Sequence, residues 1–267
     1  MKTYYSVWKL RFIHGLQYRA AAFAGIATQF FFGFVFIMVY EAFYSQSVVQ
    51  PPMPLDSLVA YIWLQQAFLY FTMLWHRDNE LFQLIASGNV AYELCRPCAL
   101  YDFWYAKLLG QRLAGGLLRF FPILVAASFF PEPYRMKLPP SPQAFLLFLL
   151  ALFLGLFLVV AVSMLVYISV FWTLSPSGSM LVFMTVGEFF SGKVIPVPLM
   201  PEWMQTATYM LPFRWTSDFP LRVYSGHIPA DEALWGIAAQ MVWLAAVVIL
   251  GRRLMRRALR QVVVQGG

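Results

Sequence analysis

Charge is what this sequence has least of. Asp, Glu, Lys and Arg make up 12% of its 267 residues, about half the share usual in a soluble domain. No cluster of acids or histidines gathers at one end of its apolar blocks. The three histidines, His14, His76 and His227, are far apart, and neither His-Glu-x-x-His nor Gly-x-Ser-x-Gly occurs. Cysteine appears twice, as Cys95 and Cys98. Two thiols three residues apart cannot build a disulfide framework. A structural zinc site wants four ligands where this C-x-x-C offers two, so reduced thiols are the default. A phosphate-cradling loop of the form G-x-x-x-x-G-K-[ST] is absent, so the chain is not expected to bind and hydrolyse ATP itself. No metal and no cofactor is expected on it. A cleavable leader is not expected either, because the basic start is long and no small-residue cleavage site follows a short apolar core. With no internal repeat and no low-complexity linker, 1–267 reads as a single domain.

What the sequence has in excess is apolar residues, at 61%, with Phe alone occurring 26 times. They come in blocks long enough to cross about 30 Å of hydrocarbon at about 1.5 Å per residue. An all-α membrane protein with six spans is expected, at 20–40, 55–75, 108–130, 144–172, 178–194 and 233–250. The fourth is long enough to tilt or protrude. With six spans, thirteen basic residues share one side. They are Lys2, Lys9, Arg11 and Arg19 before the first span, Arg77, Arg96, Lys107 and Arg112 around the connection after the second, and Arg252, Arg253, Arg256, Arg257 and Arg260 in the tail at 251–267. Arg135, Lys137, Lys193, Arg214 and Arg222 fall on the other side. The positive-inside bias places both termini in the cytoplasm and favours an even number of spans. The net charge of +7 therefore reads as topology and not as affinity for nucleic acid. Trp75 and Trp172 fall at cytoplasmic span ends, and Trp203, Trp215 and Trp235 on the outer side; interfacial anchoring and packing both suit them. Glu132, Asp218, Asp231 and Glu232 are expected to be solvated outer charges, and Arg119 a snorkelling interfacial residue.

Three segments do not read as spans. At 1–19, Tyr5, Trp8, Phe12 and Leu16 recur at helical spacing, although Lys9 intrudes. This fits an amphipathic helix in the lipid interface or a plain extension of the first span. The connection at 76–107 is long for so apolar a chain. Asp78 or Asn79 suits a helix cap, Leu81, Leu84 and Ile85 form an apolar stripe, and Gly88 and Asn89 form a stop. A second short helical piece ends at Pro97, and a third starts near Tyr101 and Asp102. Such an insert either docks into a groove on a soluble partner or lies as an amphipathic loop on the membrane. At 195–226, Pro196, Pro198 and Pro201 forbid a continuous helix, yet the stretch is too apolar for a free loop. Trp203, Met204, Ala207, Met210 and Leu211 suit one face of a helix that stops before Pro212. A broken hairpin re-entering the outer leaflet and a surface-lying helix are the two readings. Glu188 lies inside the fifth span, where a charge costs about 2.5–3.5 kcal/mol on insertion scales. It faces a cavity, is protonated or has a partner. Lys193 is roughly 140° away on a helix and is not expected to be that partner.

The run SGNVAYELCRPCALYDFWYAKLLGQR resembles the cytoplasmic connection of ABC-2 type (export-type) permeases, with Gly88, Leu94, Arg96 and Pro97 in the matching places. Cys98 stands where an aliphatic residue is usual. The run from Phe189 to Gly226 resembles the end of the same family's fifth span. Ser191, Gly192, Pro196, Pro201, Trp203, Leu211, Pro212, Phe213, Pro220 and Gly226 carry that likeness. The resemblance implies a membrane subunit of an ATP-driven exporter in the plasma (inner) membrane. It implies two ATPase subunits, holding the ATP and Mg, and a second permease chain, identical or homologous. Gly88, Leu94, Arg96 and Pro97 would then serve ATPase coupling. Gly192, Pro196, Pro201 and Pro212 would form the outer gate, and Glu188 would stand on the translocation path. An integral membrane enzyme acting on lipid is the alternative, but it lacks the acid or His cluster it would need. A passive channel is the other, distinguished by flux without an ATPase.

Overall fold

Apolar runs decide where the long helices lie, and the helix Leu100–Phe129 continues even through Pro122. The computed structural model describes residues 2–48, 50–173 and 176–261. The chain is 78% helical, with no strand among the described residues. In chain order the helices are α1 (Lys2–Leu16), α2 (Arg19–Ser45), α3 (Leu55–Ala67), α4 (Leu69–Thr72), α5 (Asn79–Ala86), α6 (Val90–Leu94), α7 (Leu100–Phe129), α8 (Pro142–Thr173), α9 (Pro176–Phe190), α10 (Glu202–Tyr209), α11 (Asp218–Tyr224) and α12 (Ala230–Leu259). Two 3₁₀ turns, Val197–Leu199 and Phe213–Thr216, flank α10.

Four helices, α2, α7, α8 and α12, are long and apolar enough to cross a membrane. At 32 residues, α8 is about 48 Å long and overshoots a hydrocarbon core of about 30 Å. It is also the most apolar and most enclosed of the four, and α5, α7, α9, α11 and α12 all pack on it. The expected second span is two pieces, α3 and α4, separated at Phe68. The expected fifth, α9, has 15 residues and is about 22 Å long. It stops at Phe190 because Gly192 takes a φ of 81°, in the left-handed region that a helix cannot continue through.

In a lipid surround, apolar side chains gain little by leaving lipid for protein, so helices associate through close packing, small residues and polar contacts. Gly116 of α7 lets the Phe71 ring sit where a Cβ would be. Trp63 of α3 is ringed by Phe30, Phe34 and Phe130 at centroid distances of 5.2–5.9 Å, and its indole donates to the Tyr134 carbonyl at 2.7 Å. Every residue from Leu58 to Ala67 is buried. This enclosure suits the glutamines of α3, since an amide in lipid without a partner is costly. Gln65 donates to the Lys193 carbonyl at 2.7 Å.

The N-terminal helix runs alongside α7. Tyr4 meets Ala99, Trp8 meets Gly110 and Gly15 meets Ala114, so the contacts advance along both helices in the same sense. Part of the expected lipid-facing side of α1 thus meets protein. The basic tail continues α12 as helix to Leu259; its residues 262–267 lie outside the described residues.

Candidate functional site

The residues singled out in the sequence gather at two places, joined by the stretch 72–78. The first place is the connection between α4 and α7. Asp78 caps α5, its carboxylate accepting from the amides of Glu80 at 3.0 Å and Leu81 at 3.3 Å. The Asp78 amide donates to the Tyr167 hydroxyl of α8 at 2.8 Å. The buried ammonium of Lys107 lies 3.4 Å from Asp78 and 3.0 Å from Glu80, and Arg11 of α1 pairs with Glu80 as well. Burial raises the Glu80 carboxyl, but Arg11 and Lys107 together outweigh it and hold its pKa below the ordinary value. Leu81, Phe82 and Ile85 are buried, with the Phe82 ring 4.6 Å from that of Tyr167. α5 is therefore anchored to α1, α7 and α8 at once.

Beyond it the chain projects. Gly88 has a φ of 74° and open space where a Cβ would be, so the turn conformation alone explains glycine there. α6 keeps one foot in the fold, with Val90 buried and the Glu93 carboxylate accepting from the Trp104 indole. Its tip is free: Tyr92 is 76% and Leu94 41% exposed, and Gly88, Arg96 and Pro97 are exposed with them. The Arg96 guanidinium lies 5.0 Å from the Phe103 ring centre. Cys95 and Cys98 are free thiols, and no group of potential metal ligands occurs among the described residues.

The second place is the segment after α9. The turn at Gly192 brings Lys193 back, so that its ammonium lies 2.8 Å from Glu188 and donates to the Thr72 carbonyl at 2.6 Å. This corrects the helical-wheel expectation, which assumed that the helix continues through Lys193. Glu188 also accepts from the Leu74 amide, and it lines an open cleft of about 550 Å3 with Met184, Phe190 and Val194. Pro196, Pro201 and Pro212 each stand immediately before a helical piece, namely Val197–Leu199, α10 and Phe213–Thr216. Between them the chain turns back until the carbonyls of Trp215 and Thr216 lie against Gly155, near the middle of α8. Gln240 of α12 ties this contact, donating to the carbonyls of Ala151 and Trp215, both at 2.8 Å. The buried side of α10 is Thr208, with Met204 and Ala207 partly covered, whereas Trp203 and Met210 are exposed. The expected apolar stripe is therefore rotated.

Asp218 is not a solvated outer charge. It is fully buried, 3.2 Å from the Tyr61 hydroxyl, 3.4 Å from Arg222 and 3.4 Å from the Val197 amide. Tyr61 also donates to the Gly192 carbonyl at 2.9 Å. Trp215 and Arg214 are buried in the same region, while Trp75, Trp172, Trp203 and Trp235 are exposed, as interfacial anchors are. Arg119 lies over the Tyr70 ring at 4.4 Å and donates to the Gly115 carbonyl at 3.1 Å, so protein holds it. Arg112, counted above only as a topology charge, is fully buried. It donates to the Met73 carbonyl at 2.6 Å and to Ser163 at 3.0 Å. The signal for Arg112 was its position inside an apolar run, where a charge marks a committed partner.

The family model described as ABC-2 family transporter protein matches residues 58–266. The chain belongs to the ABC-2 transporter family. It is a multi-pass membrane protein, a permease of an ABC transporter and a transport subunit rather than an enzyme. No curated protein matches the sequence. The family match covers both places described above and most of the helices that hold them.

Proposed function

We propose that this ABC-2 permease is the membrane half of an ATP-driven exporter, and that the connection at 76–107 is its handle for a separate ATPase. The observation that carries this is the stretch 72–78. At one end Thr72 and Leu74 hold Lys193 and Glu188 through backbone atoms. At the other, Asp78 caps α5 and faces Lys107. A push on α5 is thus passed to the segment after α9 without a flexible linker in between.

On this account Gly88, Leu94, Arg96 and Pro97 form the surface that two ATPase copies, each with its ATP and Mg, would grip through one permease each. The second permease is a copy of this chain or a homologue. α3 with α4, and α9 with the segment that follows it, complete six passes with the four long helices, both termini being cytoplasmic in the plasma (inner) membrane. The carbonyls of the 3₁₀ turn at 213–216 lie against Gly155 near the middle of α8 and against Gln240 of α12, enclosed by protein as an interrupted helix at membrane depth must be. This supports a re-entrant hairpin, hinged at Gly192 and punctuated by Pro196, Pro201 and Pro212, that gates the outer end of an export path. Glu188, on the wall of the cleft at α9, marks that path. Its carboxylate is already bound by Lys193 and Leu74, which favours shaping the wall over seizing a free cation.

The test is copurification from mild detergent, comparing wild type with Arg96→Glu and Leu94→Asp. An ATPase that comes down with wild type and is depleted in both variants supports the handle. If no nucleotide-binding protein accompanies wild type, the coupling account fails, and passive flux or lipid chemistry must be assayed instead.

A further inference from the structure

One cluster of buried cations is left unused by the account above. It lies along the half of α8 that runs from Gly155, against Trp215, to Phe148, against Tyr224, away from the Tyr167 end that holds Asp78. Arg214 is 7% exposed, yet among the described residues it makes no ion pair and no hydrogen bond. Its guanidinium is sandwiched between rings, 4.1 Å from the centre of Tyr209 and 4.3 Å from that of Trp215. Nearby Arg222 has one ion pair among the described residues, with Asp218 at 3.4 Å, and a further polar contact with Tyr209. Asp218 itself is shared with Tyr61 and the Val197 amide, so one divided carboxylate faces two guanidinium groups. Three buried donors are unpartnered: Nε of Arg214, Nε of Arg222 and the indole Nε1 of Trp215. All three residues line one cleft of about 440 Å3 against the first turns of α12, with Trp235 and Glu232 at its edge. Glu232 is exposed and in no ion pair among the described residues.

Two buried guanidinium groups that divide one carboxylate between them are under-compensated. A fold that keeps such a pair beside several free N–H groups is arranged for an anion from outside the chain. The donors are planar and several, which matches an oxyanion with three or more acceptor oxygens better than a single carbonyl. Trp235 at the edge of the cleft is exposed, as is its neighbour Leu234 on α12, an apolar surface on which an acyl chain lies favourably. We propose that this cleft binds the phosphate group of an amphiphile, with Arg214 as the principal contact and Arg222 and Trp215 as supporting donors. The inference needs neither the ATPase nor the gate and stands or falls apart from them. The shared chemistry is a phosphate oxyanion, delivered by a lipid headgroup or by a soluble phosphate.

The experiment uses the full chain in neutral detergent with two photoactivatable probes of equal acyl length, phosphatidic acid and diacylglycerol, and maps the labelled peptides. Phosphatidic acid should label the peptides around 209–222 or 230–236 of wild type. Diacylglycerol should label them about tenfold less, the factor expected when a charge-assisted hydrogen bond is lost. Arg214→Gln should lower the phosphatidic acid signal similarly, and Arg214→Lys should fall between. Competition by inorganic phosphate identifies a site open to soluble phosphates, and persistence of the label identifies one that needs the acyl chain; either outcome supports a phosphate site. Equal labelling by both probes, or labelling confined to other peptides, overturns it. Because the two-probe comparison is made on wild type, it holds even if the buried Arg214 variants fail to fold.

Discussion

Gly192→Ala should destabilise this chain far more than Gly88→Ala, although both glycines have nearly the same backbone. Their φ values are 81° and 74°, so both substitutions incur the left-handed penalty of about 1–2 kcal/mol. Their surroundings differ. A Cβ on Gly88 meets nothing within 4 Å, whereas one on Gly192 lies 2.8 Å from the Tyr61 hydroxyl and 2.9 Å from the Asp218 Cβ. Neither neighbour yields freely. The Tyr61 hydroxyl bonds the Gly192 carbonyl itself, and a Cβ is fixed to its own backbone. Overpacking of this kind adds about 1–3 kcal/mol, for a total of about 2–5 kcal/mol. At about 2–4 °C per kcal/mol for a chain near this size, Gly192→Ala should lower the apparent melting point by about 4–20 °C and Gly88→Ala by about 2–8 °C. Heating detergent-purified protein and measuring the monodisperse fraction by size exclusion gives the comparison at one heating rate, as kinetic stability requires. Equal shifts for the two variants would refute the close packing of Gly192 against Tyr61 and Asp218, and with it the fixed turn at the end of α9.

Lys107→Met should destabilise by about 3–5 kcal/mol, because it leaves Asp78 buried without its cation, and should release α5 to protease faster than the α12 end. Acid should loosen the contact between α1 and α5. The Glu80 pKa is lowered in the fold, so its contribution is present above the unfolded value of about 4.3 and is lost as pH falls through the folded value below it. Spin labels on α1 and α5 should move apart below about pH 4 in wild type, and Glu80→Gln should show the wider distance at all pH values. Gln65→Leu should cost about 1–3 kcal/mol by leaving the Lys193 carbonyl without its donor, read by the same heating assay.

The long helices were legible because apolar block length is a direct consequence of bilayer thickness. The α5 cap was legible too, since Asp78 before an amphipathic octet has a local cause. What escaped was non-local. Asp218 and Arg214 look like any outer charge in the sequence, and long-range packing buries them, Asp218 against Tyr61 and Val197 and Arg214 with the turn back of 213–216. A helical wheel carries Lys193 away from Glu188, and a single glycine conformation at 192 reverses its direction. The rotated face of α10 has the same origin, because Trp203 and Met210 are set by where 196–200 places the helix and not by its own spacing. Arg112 was counted for topology when its place within an apolar run pointed to a buried partner.

The polar contacts that bind 72–78 to its surroundings mostly involve backbone atoms: the carbonyls of Thr72 and Met73 and the amides of Leu74 and Asp78. Their partners are Lys193, Arg112, Glu188 and Tyr167. The first three carry charge, and all are buried or largely so. Side-chain identity at 72–74 is therefore nearly irrelevant to the contacts, which is why no motif announces them. Breaking any one strands a charge or a donor in a medium that cannot solvate it. The stretch and its four partners are consequently costly to separate piecemeal and cheaper to move together. The stretch is therefore held jointly by α7, α8, α9 and the Lys193 that follows it, and none of these contacts comes from 88–97.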